Sequence, residues 1–393
     1  MEDFLKRTWA EVDLNAIEHN FKVIRSAVNK KSLIMCVIKA DAYGHGSTFL
    51  AKEYENLGAD WFGVSNIEEA LQLRENGIKK PILILGYTPI SSIEKLADYN
   101  ISQAVLSLEY ANSLSDASEK LGLNIKVHIK IDSGMSRIGL VCHDDNSLNK
   151  AVNDIIDISK LKGITIEGMF THFSVSDDGK DGEAYTKEQF DRFKFVIDKV
   201  RISGIDVPLC HCCNSGAIID YPEMNLDMVR AGIILYGLSP SSKTKNKLNL
   251  KPAMKLKTVI SLLKYIEPGS AVSYGRTFIS DKKIKVATVP IGYADGYSRA
   301  FSNKSQMIVC NKRVNVIGRV CMDQLILDVS DVSDIHEGSI VTVFGDELTV
   351  DELANIANTI NYEIVCLVGK RVPRIYIKDN KTVGQLNYIL NSN

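Results

Sequence analysis

The chain has 393 residues, 45% hydrophobic and 24% charged, with 47 basic against 48 acidic side chains and a formal net charge of −1. That length exceeds what one hydrophobic core usually organises, so two domains are expected, and the balanced charge excludes a global field that would gather nucleic acid or an anionic membrane. No apolar stretch approaches bilayer-spanning length, the start Met1-Glu2-Asp3-Phe4-Leu5-Lys6-Arg7 lacks the apolar run of a secretion signal, and the eight cysteines show no paired spacing; a cytoplasmic protein with reduced thiols and no metal is expected.

From about residue 12 to 240, short β-branched apolar runs alternate with longer amphipathic segments, the pattern of βα units with parallel strands. The spacing predicts strands at 33–38, 61–65, 82–85, 103–106, 126–131, 167–171, 207–212 and 228–235, and helices at 14–28, 47–57, 67–76, 108–121, 148–158 and 183–202. Eight such repeats fit an α/β fold of the closed (β/α)8 barrel type better than an open doubly wound sheet, and no glycine-rich dinucleotide fingerprint follows an early strand. The polar run Ser241-Ser242-Lys243-Thr244-Lys245-Asn246-Lys247 reads as a connector to a second domain over 241–393. Its runs at 255–265, 284–290, 305–310, 314–317, 325–329 and 340–344, with turns at Pro268-Gly269 and Gly345-Asp346, predict a mainly antiparallel β domain with one helix at 350–357. Residues 1–11 are expected to join it, because Thr8-Trp9-Ala10-Glu11-Val12 alternates like a strand.

Barrel chemistry gathers where strands end at the C-terminal face. Lys39 closes the first apolar run, in Val37-Ile38-Lys39-Ala40-Asp41-Ala42-Tyr43-Gly44-His45-Gly46, where a desolvated amine is a nucleophile toward a carbonyl; taken alone, a lysine there can equally snorkel to solvent. The seventh run leads into Asn214-Ser215-Gly216-Ala217 and the eighth through Arg230-Ala231-Gly232-Ile233, where backbone amides near helix starts suit a phosphate. A lysine facing a phosphate cup points to a phosphorylated aldehyde, pyridoxal 5'-phosphate.

The segment around Lys39 resembles the cofactor-lysine signature of the alanine racemase family. The resemblance continues through Lys130-Ile131-Asp132-Ser133-Gly134-Met135-Ser136-Arg137-Ile138-Gly139, Gly168-Met169-Phe170-Thr171-His172-Phe173, Met228-Val229-Arg230-Ala231-Gly232, Val272-Ser273-Tyr274-Gly275, Ile291-Gly292-Tyr293-Ala294-Asp295-Gly296 and Cys321-Met322-Asp323-Gln324. It implies a barrel joined to a β domain, working as a homodimer with shared active sites that makes D-alanine for cell-wall precursors. Lys39 would hold pyridoxal phosphate and act as the base on the D side, and Tyr274 of the partner subunit would serve the L side. Removing the α-proton from one face and returning one to the other needs a base on each face. A tyrosine with an ordinary pKa near 10 then needs help to ionise, which by resemblance comes from a hydrogen-bonded chain through His172 to Arg230. Arg230 would also meet the cofactor's pyridine nitrogen, keeping it largely unprotonated.

By the same resemblance Tyr43, Ser215, Gly232 and Ile233 would hold the phosphate, and Arg137 and the partner's Met322 amide would orient the substrate carboxylate. Lys130 would steady that arginine, by way of a carbamate in many members, while Tyr293 and Asp323 would stand at the substrate entrance and beside Met322. One position departs: Lys370, before Arg371-Val372-Pro373-Arg374, stands where many members have a phosphate-contacting tyrosine, which leaves open serine or a broader set of amino acids. Two related alternatives are a barrel-only, non-catalytic pyridoxal-phosphate-binding protein, disfavoured by the second domain carrying Tyr274 and Met322, and a pyridoxal-phosphate decarboxylase of the same architecture, disfavoured by Arg230 and Val272-Ser273-Tyr274-Gly275.

Overall fold

A computed structural model describes residues 4–390, and the chain divides into two compact units. Glu18–Ala42 with Ser47–Leu250 forms one; the chain through Ile17, Tyr43–Gly46 and Lys251 onward form the other.

The first unit is a closed barrel. Eight parallel strands, Leu33–Val37, Trp61–Val64, Ile82–Ile84, Ser102–Val105, Ile125–Asp132, Ile164–Phe170, Leu209–His211 and Met228–Ala231, pair in sequence order. The ring closes where Met228 aligns with Leu33 and Ala231 with Cys36. Helices Ser47–Leu57, Ile67–Glu75, Leu108–Leu121, Asp145–Ile158 and Gly179–Ile202 alternate with the strands. Local chemistry sets their ends: the Asn66 side chain accepts from Glu69 N, Ser107 Oγ from Tyr110 N, and Asp144 and Ser147 form a capping box. Met35, Trp61, Leu83 and Met228, on four adjacent strands, form one layer of the interior, each such side chain contributing roughly 1.5–3 kcal/mol by its burial.

The eighth strand is shorter than the apolar run 228–235. It ends at Ala231, and Ile233–Tyr236 makes a 3-10 turn whose residues are fully buried. A buried turn is as apolar as a buried strand, so composition does not separate them.

The second unit holds a ten-stranded sheet in the order Leu262–Ile266, Ile284–Val289, Leu325–Asp328, Lys312–Ile317, Gln306–Val309, Ile340–Phe344, Met254–Val259, Thr8–Asp13, Arg374–Lys378, Lys381–Leu386. Thr8–Asp13 lies antiparallel to Met254–Val259 and parallel to Arg374–Lys378. The run 255–265 is two strands, not one: at Ile260-Ser261 the chain changes partners, Ile260 N donating to Ser339 O and Ser261 N to Thr288 O. Helix Asn361–Cys366 and the last two strands were not among the expected elements. Arg374 is buried, and its guanidinium donates to the carbonyls of Gly44, Val368, Gly369 and Val372 at 2.5–2.8 Å, which satisfies a charge the core would otherwise reject. Among the described residues no helix is long and apolar enough to cross a membrane.

Candidate active site

In the barrel, the ends of the seventh, eighth and first strands are neighbours, and five of the expected residues stand there: Lys39, Ser215, Arg230, Gly232 and Ile233. Lys39 follows the first strand and opens an unusual turn. Ala40, Asp41, Ala42 and Tyr43 all lie in the left-handed region, with φ between 49° and 55°. Each such non-glycine residue costs roughly 1–2 kcal/mol, so the turn persists only because its surroundings impose it. Ala40 N donates to Glu69 Oε1 at 2.7 Å, Ala42 N to Ile38 O at 2.9 Å, and Ser47 N to Asp41 Oδ1 at 2.8 Å. The second Glu69 oxygen accepts Ser65 N at 2.7 Å, which ties the Lys39–Ala40 peptide to the end of the second strand.

Arg230, in the eighth strand, is 3% exposed. Its Nη1 donates to His211 Nδ1 at 3.0 Å and His211 O at 3.2 Å; Nη2 donates to Thr171 O at 2.8 Å, Cys212 O at 2.9 Å and His172 Nδ1 at 3.1 Å. Among the described residues Nε–H has no acceptor. Burial lowers the Arg230 pKa to about 10, still far enough above neutrality to keep the cation. Burial, and then the Arg230 charge, push His172 well below the ordinary histidine range. His172 is therefore neutral, accepts at Nδ1 because a guanidinium only donates, and carries its proton on Nε2.

Next to it, Ser215 opens the helix Ser215–Asp220, capped by the Asn214 side chain on Ala217 N, and Ser215 Oγ accepts Gly232 N at 3.1 Å. The amides of Ser215, Gly216 and Ile233 have no acceptor among the described residues, so three donors at the loops after strands seven and eight are open to an anion. Lys130, on the fifth strand, is 3% exposed and donates to Ile131 O at 2.5 Å. Burial and the Arg230 charge lower its pKa to about 7. Arg137 is exposed and has no acidic partner among the described residues.

The other expected residues belong to the sheet unit. Tyr43 is buried, its ring 6.0 Å from that of Tyr362. Tyr274 is 69% exposed, on a turn where Ser273 and Arg276 hold φ of 62° and 48°. Ser273 Oγ donates to Arg319 O at 2.6 Å and fixes the base of that turn. Met322 is 52% exposed, and its carbonyl accepts Ala294 N while Cys321 O accepts Tyr293 N, each at 3.1 Å, so Tyr293 and Met322 are held together. The Met322 N–H has no acceptor among the described residues. Asp323 pairs with Arg371 at 2.8 Å, and Lys370 Nζ stands 5.7 Å from the Tyr388 ring centre. Three supporting residues escaped the sequence reading: Glu69, His211, and Asp295, a fully buried carboxylate that accepts Gly292 N at 3.0 Å and pairs with Arg7 at 2.5 Å. His211 carried a signal in its place at a strand end and Asp295 in the resembling run 291–296, and Glu69 carried none.

Comparison with known proteins meets this geometry. The family model described as alanine racemase, N-terminal domain, matches residues 12–240, and the one described as alanine racemase, C-terminal domain, matches 253–376. An alanine racemase of Clostridium perfringens is 46% identical over 394 residues, covering 99% of this chain and all of that protein. The structure of the Clostridium difficile 630 alanine racemase superposes with a TM-score of 0.93 at 40% identity, covering 98% of this chain and 100% of that one. That of the Bartonella henselae enzyme, which contains covalently bound pyridoxal phosphate, gives 0.84 at 28% identity over 95% and 100%. With both domains matched and near-complete coverage at such identity, the chain belongs to the alanine racemase family.

Proposed function

We propose that this chain interconverts L- and D-alanine in a homodimer whose two sites are each shared between subunits, with Lys39 and Tyr274 of the partner subunit as the two bases. The activity itself, pyridoxal-phosphate-dependent racemisation that supplies D-alanine, comes with the family; the residue roles and the sharing are the proposal. The observation that carries the cofactor-side roles is the Arg230 guanidinium, committed on Nη1 and Nη2 but open at Nε, and the sharing rests on the 69% exposure of Tyr274.

The residues present fit the cofactor. Lys39 would hold it, Ser215, Gly216 and Ile233 would offer amides to its phosphate, and Arg230 Nε–H would face the ring nitrogen. When bound, pyridoxal phosphate supplies an electron sink that makes the α-proton of alanine acidic. Because Arg230 remains a cation and donates its proton only partly, it would leave the ring nitrogen unprotonated and restrain that sink. This favours prompt reprotonation at the α-carbon over side reactions.

His172 Nε2–H, turned away from Arg230, is a donor that would stabilise an ionised phenol. The exposure of Tyr274 on a strained turn supports presentation to a second subunit. Arg137, without an acidic partner, would take the substrate carboxylate, and the open Met322 amide of the partner subunit would share it. Near pH 7 the Lys130 amine is substantially neutral and nucleophilic enough to add CO2 with loss of a proton; the resulting carbamate anion would answer the Arg137 charge.

Subunit complementation tests the sharing. Lys39→Ala and Tyr274→Phe chains are each inactive on the L side, but a dimer of one of each places both lesions in one site and leaves the other intact. Random mixing should restore about a quarter of wild-type activity, measured by chiral analysis of product from L-alanine. A mixture as inactive as its components would refute shared sites.

A further inference from the structure

Inside the barrel, a line of polar side chains runs away from Arg230 through what would ordinarily be a branched aliphatic core. His211 and His128 are both fully buried. Arg230 Nη1 lies 3.0 Å from His211 Nδ1, His211 Nε2 lies 3.0 Å from His128 Nδ1, and His128 Nε2 lies 3.4 Å from Glu167 Oε2. The four residues come from the eighth, seventh, fifth and sixth strands. Glu167 sits in the first, more open half of its strand, 22% exposed, where it also accepts Ser102 Oγ at 2.6 Å and faces Lys126 Nζ at 3.9 Å.

The direction of every bond follows from one fact. A guanidinium has donors and no acceptor, so His211 must offer its Nδ1 lone pair and carry its proton on Nε2. That proton then points at His128 Nδ1, so His128 too is protonated on Nε2. The third link is a contact and not a hydrogen bond: the buried His128 Nε2 makes no hydrogen bond among the described residues, and Glu167 Oε2, 3.4 Å away, is the carboxylate within reach of its proton. Burial keeps both imidazoles neutral. Burial at Glu167 is outweighed by the nearby His128 and Lys126 and the hydrogen bond from Ser102, which hold its pKa below the ordinary range, so it is an anion. Were the chain reversed, His211 Nδ1–H would meet Arg230 Nη1–H, donor against donor in a buried site. The ring stack between His211 and Phe170, 5.0 Å apart and 5° from parallel, with the guanidinium 5.5 Å over the same Phe170 ring, leaves little freedom to relieve that clash by rotation.

We propose that Glu167 is a remote positioning residue for the racemisation: as the acceptor at the far end of the line it holds His128 and His211 in the tautomer that Arg230 requires, and so keeps the Arg230 Nε–H turned toward the cofactor ring. This rests on the assignment of Arg230 to that ring. A carboxylate at the far mouth of the barrel thereby bears on how strongly the ring nitrogen is engaged, without touching substrate or cofactor.

The test combines a spectroscopic reading of the chain itself with kinetics of the holoenzyme. Nitrogen NMR of histidine-labelled protein, with and without pyridoxal phosphate, should find His128 and His211 neutral with the proton on Nε2. In Glu167→Gln, whose amide can donate to His128, and in Glu167→Ala, which admits water, His211 should lose that single tautomer. The kcat for alanine should fall by about tenfold, the scale of one disrupted charged hydrogen bond, with KM nearly unchanged and faster formation of the amine form of the cofactor. Lys126→Ala keeps the carboxylate and should keep wild-type tautomers and rate. A cationic or Nδ1-protonated His211 in the wild type overturns the relay. So does an unchanged rate in both Glu167 variants while Arg230→Lys is crippled; an unchanged rate in all three would instead show that Arg230 was misassigned.

Discussion

The barrel and the sheet unit carry their functional residues in opposite ways. In the barrel, Arg230 is 3% exposed and makes five hydrogen bonds, so its position is over-determined before any ligand arrives. In the sheet unit, Tyr274 and Met322 are 69% and 52% exposed, on turns rather than strands. A group that tunes a bound ring benefits from immobility. A group proposed to serve another subunit has to be presented outward, and the positive φ at Ser273 and Arg276 is in keeping with that proposal. Preorganisation is concentrated in one unit and display in the other.

The largest expected effect separates these halves. Lys39→Ala should remove the visible absorbance of the bound cofactor and reduce racemisation by ~10^4-fold or more in both directions, because both the attachment and one base are lost. Tyr274→Phe should lower conversion of L-alanine by about 10^2- to 10^4-fold while leaving the cofactor band in place, since the phenol plays no part in holding it. Absorption spectra and chiral assays on the two variants check the contrast; loss of the band in Tyr274→Phe would mean that the phenol itself helps to anchor the cofactor.

An intermediate effect is expected at Glu69, which touches no reacting atom. Its two oxygens take Ala40 N and Ser65 N, each at 2.7 Å, and brace the left-handed turn that follows Lys39. Glu69→Ala leaves both amides without that acceptor and should cost about 1–3 kcal/mol of stability, with reduced kcat from a Lys39 held less firmly. Urea denaturation of the cofactor-free protein reads the first quantity. Wild-type stability in the variant would show that the turn is imposed by other contacts.

Glu69 also marks where sequence reading stops. The barrel was legible because its strands are continuous β-branched runs; strand-end position singled out Lys39, while the roles proposed for His172 and Arg230 come from resemblance. The overrun at 233–235 and the fused run 255–265 failed for one reason: apolarity reports burial and does not report where a strand changes partner. An acid in the first turn of helix Ile67–Glu75 reads as a complement to the helix dipole, so the amides Glu69 holds from two other segments leave no local trace. His128, in mid-strand, reads as a core histidine for the same reason, its partners lying 39 and 83 residues away in sequence. The proposed sharing of the site is legible only through resemblance, since nothing in the pattern around Tyr274 says which chain it would serve.

The last effect is read in the pH dependence of stability and not in catalysis, and it sharpens the comparison from the barrel side, through Lys130. Its folded-state pKa is about 7 against an ordinary 10.5. Between those values the unfolded chain binds a proton that the folded lysine has released, so this residue makes stability rise with pH across that window. Below pH 7 the lysine is protonated in both states, the folded state bears the full cost of burying the charge, and the slope vanishes. The contribution is at most ~1.4 kcal/mol per pH unit. Urea denaturation of CO2-free protein at a series of pH values should show the stability of the wild type relative to Lys130→Met increasing from pH 7 to 10.5. With bicarbonate present the carbamate replaces the titrating amine, and that increase should flatten. A difference independent of pH in both conditions would mean that Lys130 keeps an ordinary pKa, and the buried amine would then be a fixed cation beside Arg137 rather than a site for CO2.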